Sequence, residues 1–71
     1  MMMTKVIEAA RRAGWKQDED GDWVSPRRSR YLRVHPRIAA IGEDAVGAYC
    51  LVDAGVERDA DAESALAWVT S

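Results

Sequence analysis

The sequence predicts an α+β fold: a small antiparallel sheet of three to four strands, with an N-terminal and a C-terminal helix packed on one face. Apolar residues recur at helical spacing at both ends of the chain, and they alternate with polar residues in the middle. Turn-forming residues separate these segments. The predicted order is α-β-β-β-(β)-α. The 71 residues suit a single domain, 1–71, in which residues 1–3 are expected to be frayed.

Two helices are predicted from apolar stripes with suitable ends. The first covers residues 4–13, with Thr4 as its N-cap and Gly14 as the residue that ends it. The second follows Asp61, which is a typical N-cap residue, and Trp68 lies beside its stripe. The stripes consist of Val6, Ile7, Ala10 and Ala13 in the first helix and Ala62, Ala65, Leu66 and Val69 in the last.

A β-hairpin is predicted after the first helix, around the acidic run at residues 18–22. This run fits a three-residue loop that is closed by a left-handed glycine, Gly21. The resulting register places Trp15 and Trp23 on the same face of the hairpin, toward the first helix. These two tryptophans and Trp68 are therefore expected to anchor the core.

The next strand is predicted from strict alternation over residues 30–35. Leu32 and Val34 are expected to face the core, and Tyr31, Arg33 and His35 to face the other way. Pro36 ends the strand.

The segment from residue 38 to residue 52 fits two structures. Ile38, Ile41, Ala45 and Tyr49 lie at helical spacing, but Gly42 and Gly47 disfavour a continuous helix. We therefore predict a strand at 38–41, a turn through Glu43-Asp44 and a strand at 48–52. Residues 53–55 are predicted to form a further turn.

The composition limits the kind of protein and its compartment. Charged residues make up 31% of the chain, and no segment approaches the roughly 20 apolar residues of a membrane helix. The N-terminal segment lacks the apolar region of a signal peptide, so a reducing cytoplasm is expected. Cys50 is the single cysteine and is predicted to be a small buried hydrophobe, while His35 is the single histidine. No metal site, catalytic residue or cofactor is therefore expected.

A run of cationic residues is the most suggestive functional feature. Residues 27–37 contain five arginines and no acid, within a chain of net charge −2. Arginine can clamp phosphate groups, and an aromatic ring can stack on a base. The alternative is that these side chains only form a solvated face of the sheet, without a binding role. The candidate binding residues are Arg27, Arg28 and Arg30, which are expected on the loop that leads into the strand, together with Tyr31, Arg33, His35 and Arg37.

An acidic segment near the C-terminus provides an alternative docking surface. Helix capping and the helix dipole account for Asp59, Asp61 and Glu63 without any function, which leaves Asp53 and Glu57 as acids of a loop. The alternative is an acidic docking surface that imitates nucleic acid. Its candidate residues are Asp53, Glu57 and Asp59.

One family resemblance concerns the order of the elements. A helix, Gly14-Trp15, a hairpin and a strand that ends in His35-Pro36 together resemble HicA-type toxins, which are small ribonucleases with a double-stranded-RNA-binding-like fold. That family carries its catalytic histidine early in the second strand, where this chain has residues 22–25 and no histidine. The resemblance covers topology and not chemistry, so no catalytic residue is carried over. It implies a small RNA-cleaving toxin as a second alternative, with His35 as the residue to test.

The features together favour a non-enzymatic binding protein. We expect it to dock on a protein or ribonucleoprotein partner and to regulate or inhibit that partner. Small domains of this style are common in phages and mobile elements, where some inhibit host systems such as CRISPR complexes. The first alternative is a nucleic-acid-binding module that uses the arginine and tyrosine face. A homodimer formed through an exposed sheet edge is left open, and no membrane partner is expected.

Overall fold

The computed structural model describes residues 2–27, 29–42 and 44–71. Its elements in chain order are α1 (Met2–Arg12), β1 (Lys16–Gln17), β2 (Trp23–Val24), β3 (Arg30–Val34), α2 (Pro36–Ile41), β4 (Tyr49–Asp53), β5 (Val56–Ala60) and α3 (Ala62–Val69). The strands form one sheet in the order β1-β2-β3-β4-β5, and every neighbouring pair is antiparallel. This confirms the α+β class and the flanking helices, and the sheet has one strand more than the largest number predicted.

Helix α1 begins at Met2, so the prediction of Thr4 as its N-cap is wrong, but Gly14 follows its end as predicted. Gly14 has φ +88°, which is the left-handed region that glycine adopts without steric cost. Its N–H bonds to the Arg11 carbonyl at 3.0 Å, and the Trp15 N–H bonds to the Ala10 carbonyl at 2.9 Å. This pair of hydrogen bonds is a Schellman motif, which ends the helix and turns the chain toward β1.

The first hairpin has the predicted register. Gln17 pairs with Trp23, and the Asp18 N–H bonds to the Asp22 carbonyl at 2.9 Å, so the three residues 19–21 close the loop. Gly21 ends that loop with φ +88°. Trp23 and Trp15 consequently lie on the same side of the sheet, and both are buried.

The core lies between the sheet and the two terminal helices. Leu32 of β3 and Ala65 of α3 are fully buried, and the Trp15 and Trp68 rings meet edge to face with centroids 5.4 Å apart. The buried core residues of the helices and of the strands that face them are Val6, Ala10, Trp15, Trp23, Leu32, Tyr49, Leu51, Ala60, Ala62, Ala65 and Val69. Since the strand members of this set share one face of the sheet, both terminal helices pack on that face, as predicted.

The strand predicted at 38–41 is wrong, because the structure has helix α2 over Pro36–Ile41. Pro36 occupies a position in the first helical turn, where its missing N–H costs nothing. Ala39 is the buried residue of this helix, and Gly42 ends it in an extended conformation. Of the turn predicted at Glu43-Asp44, Glu43 lies outside the described residues.

The second hairpin, β4–β5, shows a further difference from the prediction. Ala54 and Gly55 both have positive φ, at 51° and 83°, and form a two-residue loop between the paired ends of the strands. The turn was predicted, but the strand that follows it was not. The acids expected in a loop therefore lie on strands, since Asp53 ends β4 and Glu57 belongs to β5. Asp59, which was attributed to the start of the last helix, also lies on β5.

Helix α3 confirms the prediction for the C-terminal segment. The Asp61 carboxylate accepts a hydrogen bond from the Ser64 N–H at 2.8 Å, which is N-capping. Ala62, Ala65 and Val69 are its buried residues. None of the helices in the described part of the chain is long and apolar enough to cross a membrane.

Candidate functional site

The sheet has a second face, on the side away from α1 and α3. Residues that pair directly across a sheet share a face, so the register groups the side chains of this surface into two rows. We call this surface the open face. Its first row is Lys16, Val24, Tyr31, Val52 and Glu57, and its second row is Asp22, Arg33, Cys50 and Asp59.

The centre of the first row is apolar. Val24 and Val52 are half-buried on either side of Tyr31, which is 38% exposed. Tyr31 pairs directly with both valines, so the three side chains form one stripe across β2, β3 and β4. The alternation of β3 explains this placement, because Leu32 occupies the opposite face.

The second row contains an ion pair between neighbouring strands. Arg33 Nε donates to Asp22 Oδ1, and Arg33 Nη2 donates to Asp22 Oδ2, both at 3.0 Å. These hydrogen bonds and the Asp22 charge hold the pKa of Arg33 above its ordinary value. The guanidinium is thus directed toward β2 and away from β5, and its charge is matched by a carboxylate.

Arg30 lies on the opposite face from Arg33, because they are an odd number of residues apart on one strand. Its guanidinium lies over the Trp68 ring at 5.3 Å and forms an ion pair with Asp53 at 3.4 Å. This residue was predicted to lie on a loop beside the binding face. In the structure it covers the edge of the core.

The predicted arginine cluster is therefore divided among different parts of the molecule. Arg27 is exposed in the turn after β2, and Arg37 is exposed on α2. Arg28 lies outside the described residues. Of the cluster, the open face retains Tyr31 and Arg33, with His35 following at the end of β3. The acidic set is divided as well, because Asp53 lies on the helix-covered face, while Glu57 and Asp59 lie on the open face.

The structure also brings together three groups that the sequence separates widely. The three residues are His35, Cys50 and Asp59. Each has one potential ligand atom, and these three atoms lie within 4.8 Å of one another. Cys50 pairs with Asp59 across β4 and β5, and His35 follows β3, which pairs with β4 on the other side. Sequence reasoning missed this cluster because it depends on β5, which was not predicted. We call these residues the His-Cys-Asp cluster.

The surroundings of Cys50 oppose a role as a nucleophile. Burial raises the pKa of the Cys50 thiol above its ordinary value of 9.0, and the nearby charges of Glu57 and Asp59 raise it further. A reactive cysteine needs the thiolate and an electropositive setting. The geometry therefore supports ligation or hydrogen bonding by this sulfur better than covalent catalysis.

No protein-family model, curated protein or solved structure matches this chain. The geometry of the site is therefore the basis for any function proposed for this chain.

The charge of the open face changes from one side of the sheet to the other. Lys16 lies at the β1 side, and Arg33 is neutralised by Asp22 in the middle. Glu57 and Asp59 are exposed on β5, with no ion pair to any described residue. The surface thus combines an apolar stripe with an acidic end.

Proposed function

We propose that this chain is a non-enzymatic binding module that docks on a larger protein through the open face and regulates or blocks that protein. The observation that carries the proposal is the apolar stripe of Val24, Tyr31 and Val52 on a sheet face that is not covered by α1 or α3. A domain of 71 residues with one core acts most simply by occupying a surface of its partner.

Tyrosine is the side chain most suited to the centre of such an interface. Its ring provides a large apolar area with few rotatable bonds, and its hydroxyl can form a hydrogen bond at the rim. Interface residues that dominate binding energy are often Tyr, Trp or Arg near the centre of the contact. Tyr31 has this position, since its row continues on both sides of it.

The charge of the open face specifies the chemistry of the partner. Glu57 and Asp59 form an acidic end next to the stripe, and complementary interfaces place positive groups opposite such carboxylates. The proposed partner is therefore a protein surface with an apolar patch beside lysine or arginine side chains.

A nucleic-acid partner has less support. Arg30 and Arg33 are both paired with carboxylates, and the acids Glu57 and Asp59 on the open face would repel phosphate groups. Nucleic-acid binding remains a prediction, as does RNA cleavage that depends on His35.

Affinity capture from the native host, followed by calorimetry with the purified partner, tests the proposal. Tyr31→Ser removes the ring from the stripe and is expected to weaken binding by at least about tenfold, as for a central aromatic contact. Raising the salt from roughly 50 to 200 mM is expected to weaken binding only a few-fold, because the acidic contacts lie at one end of the interface.

Ile41→Ser is the matched control. Ile41 is 89% exposed at the end of α2 and lies off the open face, so its loss is expected to leave binding unchanged. Equal binding by wild type and Tyr31→Ser would refute the proposal. Capture of nucleic acid alone, with a steep salt dependence, would favour the nucleic-acid alternative instead.

A further inference from the structure

The His-Cys-Asp cluster has the composition of a metal site. Imidazole nitrogen, thiolate sulfur and carboxylate oxygen are the three ligand types that zinc takes in proteins, at about 2.0–2.3 Å. Ligands at these distances in a tetrahedron stand about 3.5 Å apart. The ligand atoms of His35, Cys50 and Asp59 already lie within 4.8 Å of one another, so small side-chain rotations bring them to that spacing.

We propose that His35, Cys50 and Asp59 bind one divalent transition-metal ion of the zinc type on the open face of the sheet. Three protein ligands leave the fourth tetrahedral position to water. The backbones of Cys50 and Asp59 are held by the antiparallel pairing of β4 and β5, and the His35 N–H bonds to the Ala48 carbonyl at 2.9 Å. A site built on paired strands is more rigid than one built on loops.

Two of the three side chains, those of His35 and Asp59, have no competing contact, while Cys50 is a free but buried thiol. His35 stands at the N-cap position of α2, but its side chain makes no capping hydrogen bond. Asp59 forms no ion pair or side-chain hydrogen bond with any described residue. Metal binding therefore breaks no interaction of either group.

The charges around the cluster favour a cation. Glu57 and Asp59 act on Cys50 from β5, and the guanidinium of Arg33, whose charge also acts on Cys50, is directed to Asp22 on the far side of β3. The two acids that oppose a free thiolate are the same groups that attract a divalent ion. A bound metal thus reverses the effect of this environment on the thiol, because the ion stabilises the deprotonated sulfur.

The test uses cobalt(II) as a spectroscopic probe on the reduced, chelator-treated full chain. The expected result is a tetrahedral visible spectrum with a thiolate-to-cobalt charge-transfer band, which saturates at about one ion per chain. Zinc(II) is expected to displace the cobalt and remove both signals. A wild-type protein that shows no charge-transfer band at excess cobalt would overturn the proposal.

Ligand variants and a matched control show whether the three residues act together. Cys50→Ser is expected to abolish the charge-transfer band, and Asp59→Asn and His35→Gln to weaken cobalt affinity by more than about tenfold. Asp44→Asn changes an exposed acid away from the cluster and is expected to bind as wild type does. Asp59 is exposed and unpaired, so Asp59→Asn keeps the test valid even where Cys50→Ser loses its fold. Wild-type affinity in both Asp59→Asn and His35→Gln would overturn the proposal.

The cobalt test needs no partner, so its outcome is separate from that of the docking proposal.

Discussion

The two faces of the sheet are built from the same strands but differ in what their side chains contact. On the helix-covered face, Leu32 and Leu51 pair across β3 and β4 and are almost fully buried under the helices. On the open face, their neighbours Tyr31 and Val52 pair in the same way, yet Tyr31 remains 38% exposed. The difference indicates that the covered face contributes more to the buried core, whereas the open face leaves Tyr31 accessible to solvent, as the docking proposal requires.

The largest expected effect contrasts two adjacent residues of β3. Leu32→Ala removes a fully buried side chain and is expected to cost about 2–5 kcal/mol in the free energy of unfolding. A chain of this size has roughly 4–11 kcal/mol in total. Tyr31→Ala is expected to cost about 1 kcal/mol or less, since it removes only cross-strand contacts on an exposed face. Urea denaturation of both variants measures the contrast.

Equal losses in the free energy of unfolding in the two variants would contradict this difference between the faces. That outcome would mean that Tyr31 is as important to folding as Leu32, and that the open face is part of the core. Val24→Ala serves as a second measure of the open face, because Val24 pairs with Tyr31 and is half-buried.

A smaller effect on stability is expected at α3, one of the two helices on the covered face. The Ser64 N–H holds the pKa of Asp61 below its ordinary value of 3.8, so the folded state favours the charged carboxylate. This contribution is present above pH 3.8, and it is lost as pH falls through the lower folded pKa. Wild type is expected to melt at a higher temperature than Asp61→Ala near neutral pH, with a gap that narrows in acid.

Asp61→Ser separates capping from charge in that experiment. Serine can also accept a hydrogen bond from the helix N-terminus, but it does not titrate. Its advantage over Asp61→Ala is expected to stay constant in acid. A gap between wild type and Asp61→Ala that does not narrow would show that the carboxylate does not cap α3.

The smallest expected change in stability is at the turn that joins β4 and β5. Ala54 has φ 51°, a left-handed conformation that favours asparagine in a two-residue turn before glycine. Ala54→Asn is expected to stabilise the fold by up to about 1 kcal/mol. Ala54→Val is the control and is expected to destabilise it, because a β-branched side chain resists positive φ. A thermal melt that ranks valine above asparagine would contradict this account.

Much of the fold could be predicted because strong local signals agree with the tertiary structure. Gly14 and Gly21 have the left-handed conformations expected of them, and the alternation around Leu32 predicts its face correctly. The strand β5 could not be predicted, because its five residues include three charged side chains and its place in the sheet depends on pairing with β4. The helix α2 could have been found, since proline is common in a first helical turn.

The candidate site was less predictable than the fold. Tyr31 and Arg33 were placed on the correct face, but the partner of Arg33, Asp22, lies on a neighbouring strand and was not foreseen. Arg30 was assigned to a loop, although alternation alone places it on the core side of β3. The His-Cys-Asp cluster depends on the register of three strands, which no local pattern in the sequence contains.

The most direct test of the account is nuclear magnetic resonance mapping of the bound surface. The labelled chain is titrated with the protein that wild type captures, and backbone amide shifts are followed residue by residue. If the open face binds the partner, the largest amide shift changes occur at Val24, Tyr31, Val52 and Glu57, with little change in α1 and α3. Changes concentrated on α1 and α3 would contradict the account, because the partner would then bind the helix-covered side of the molecule.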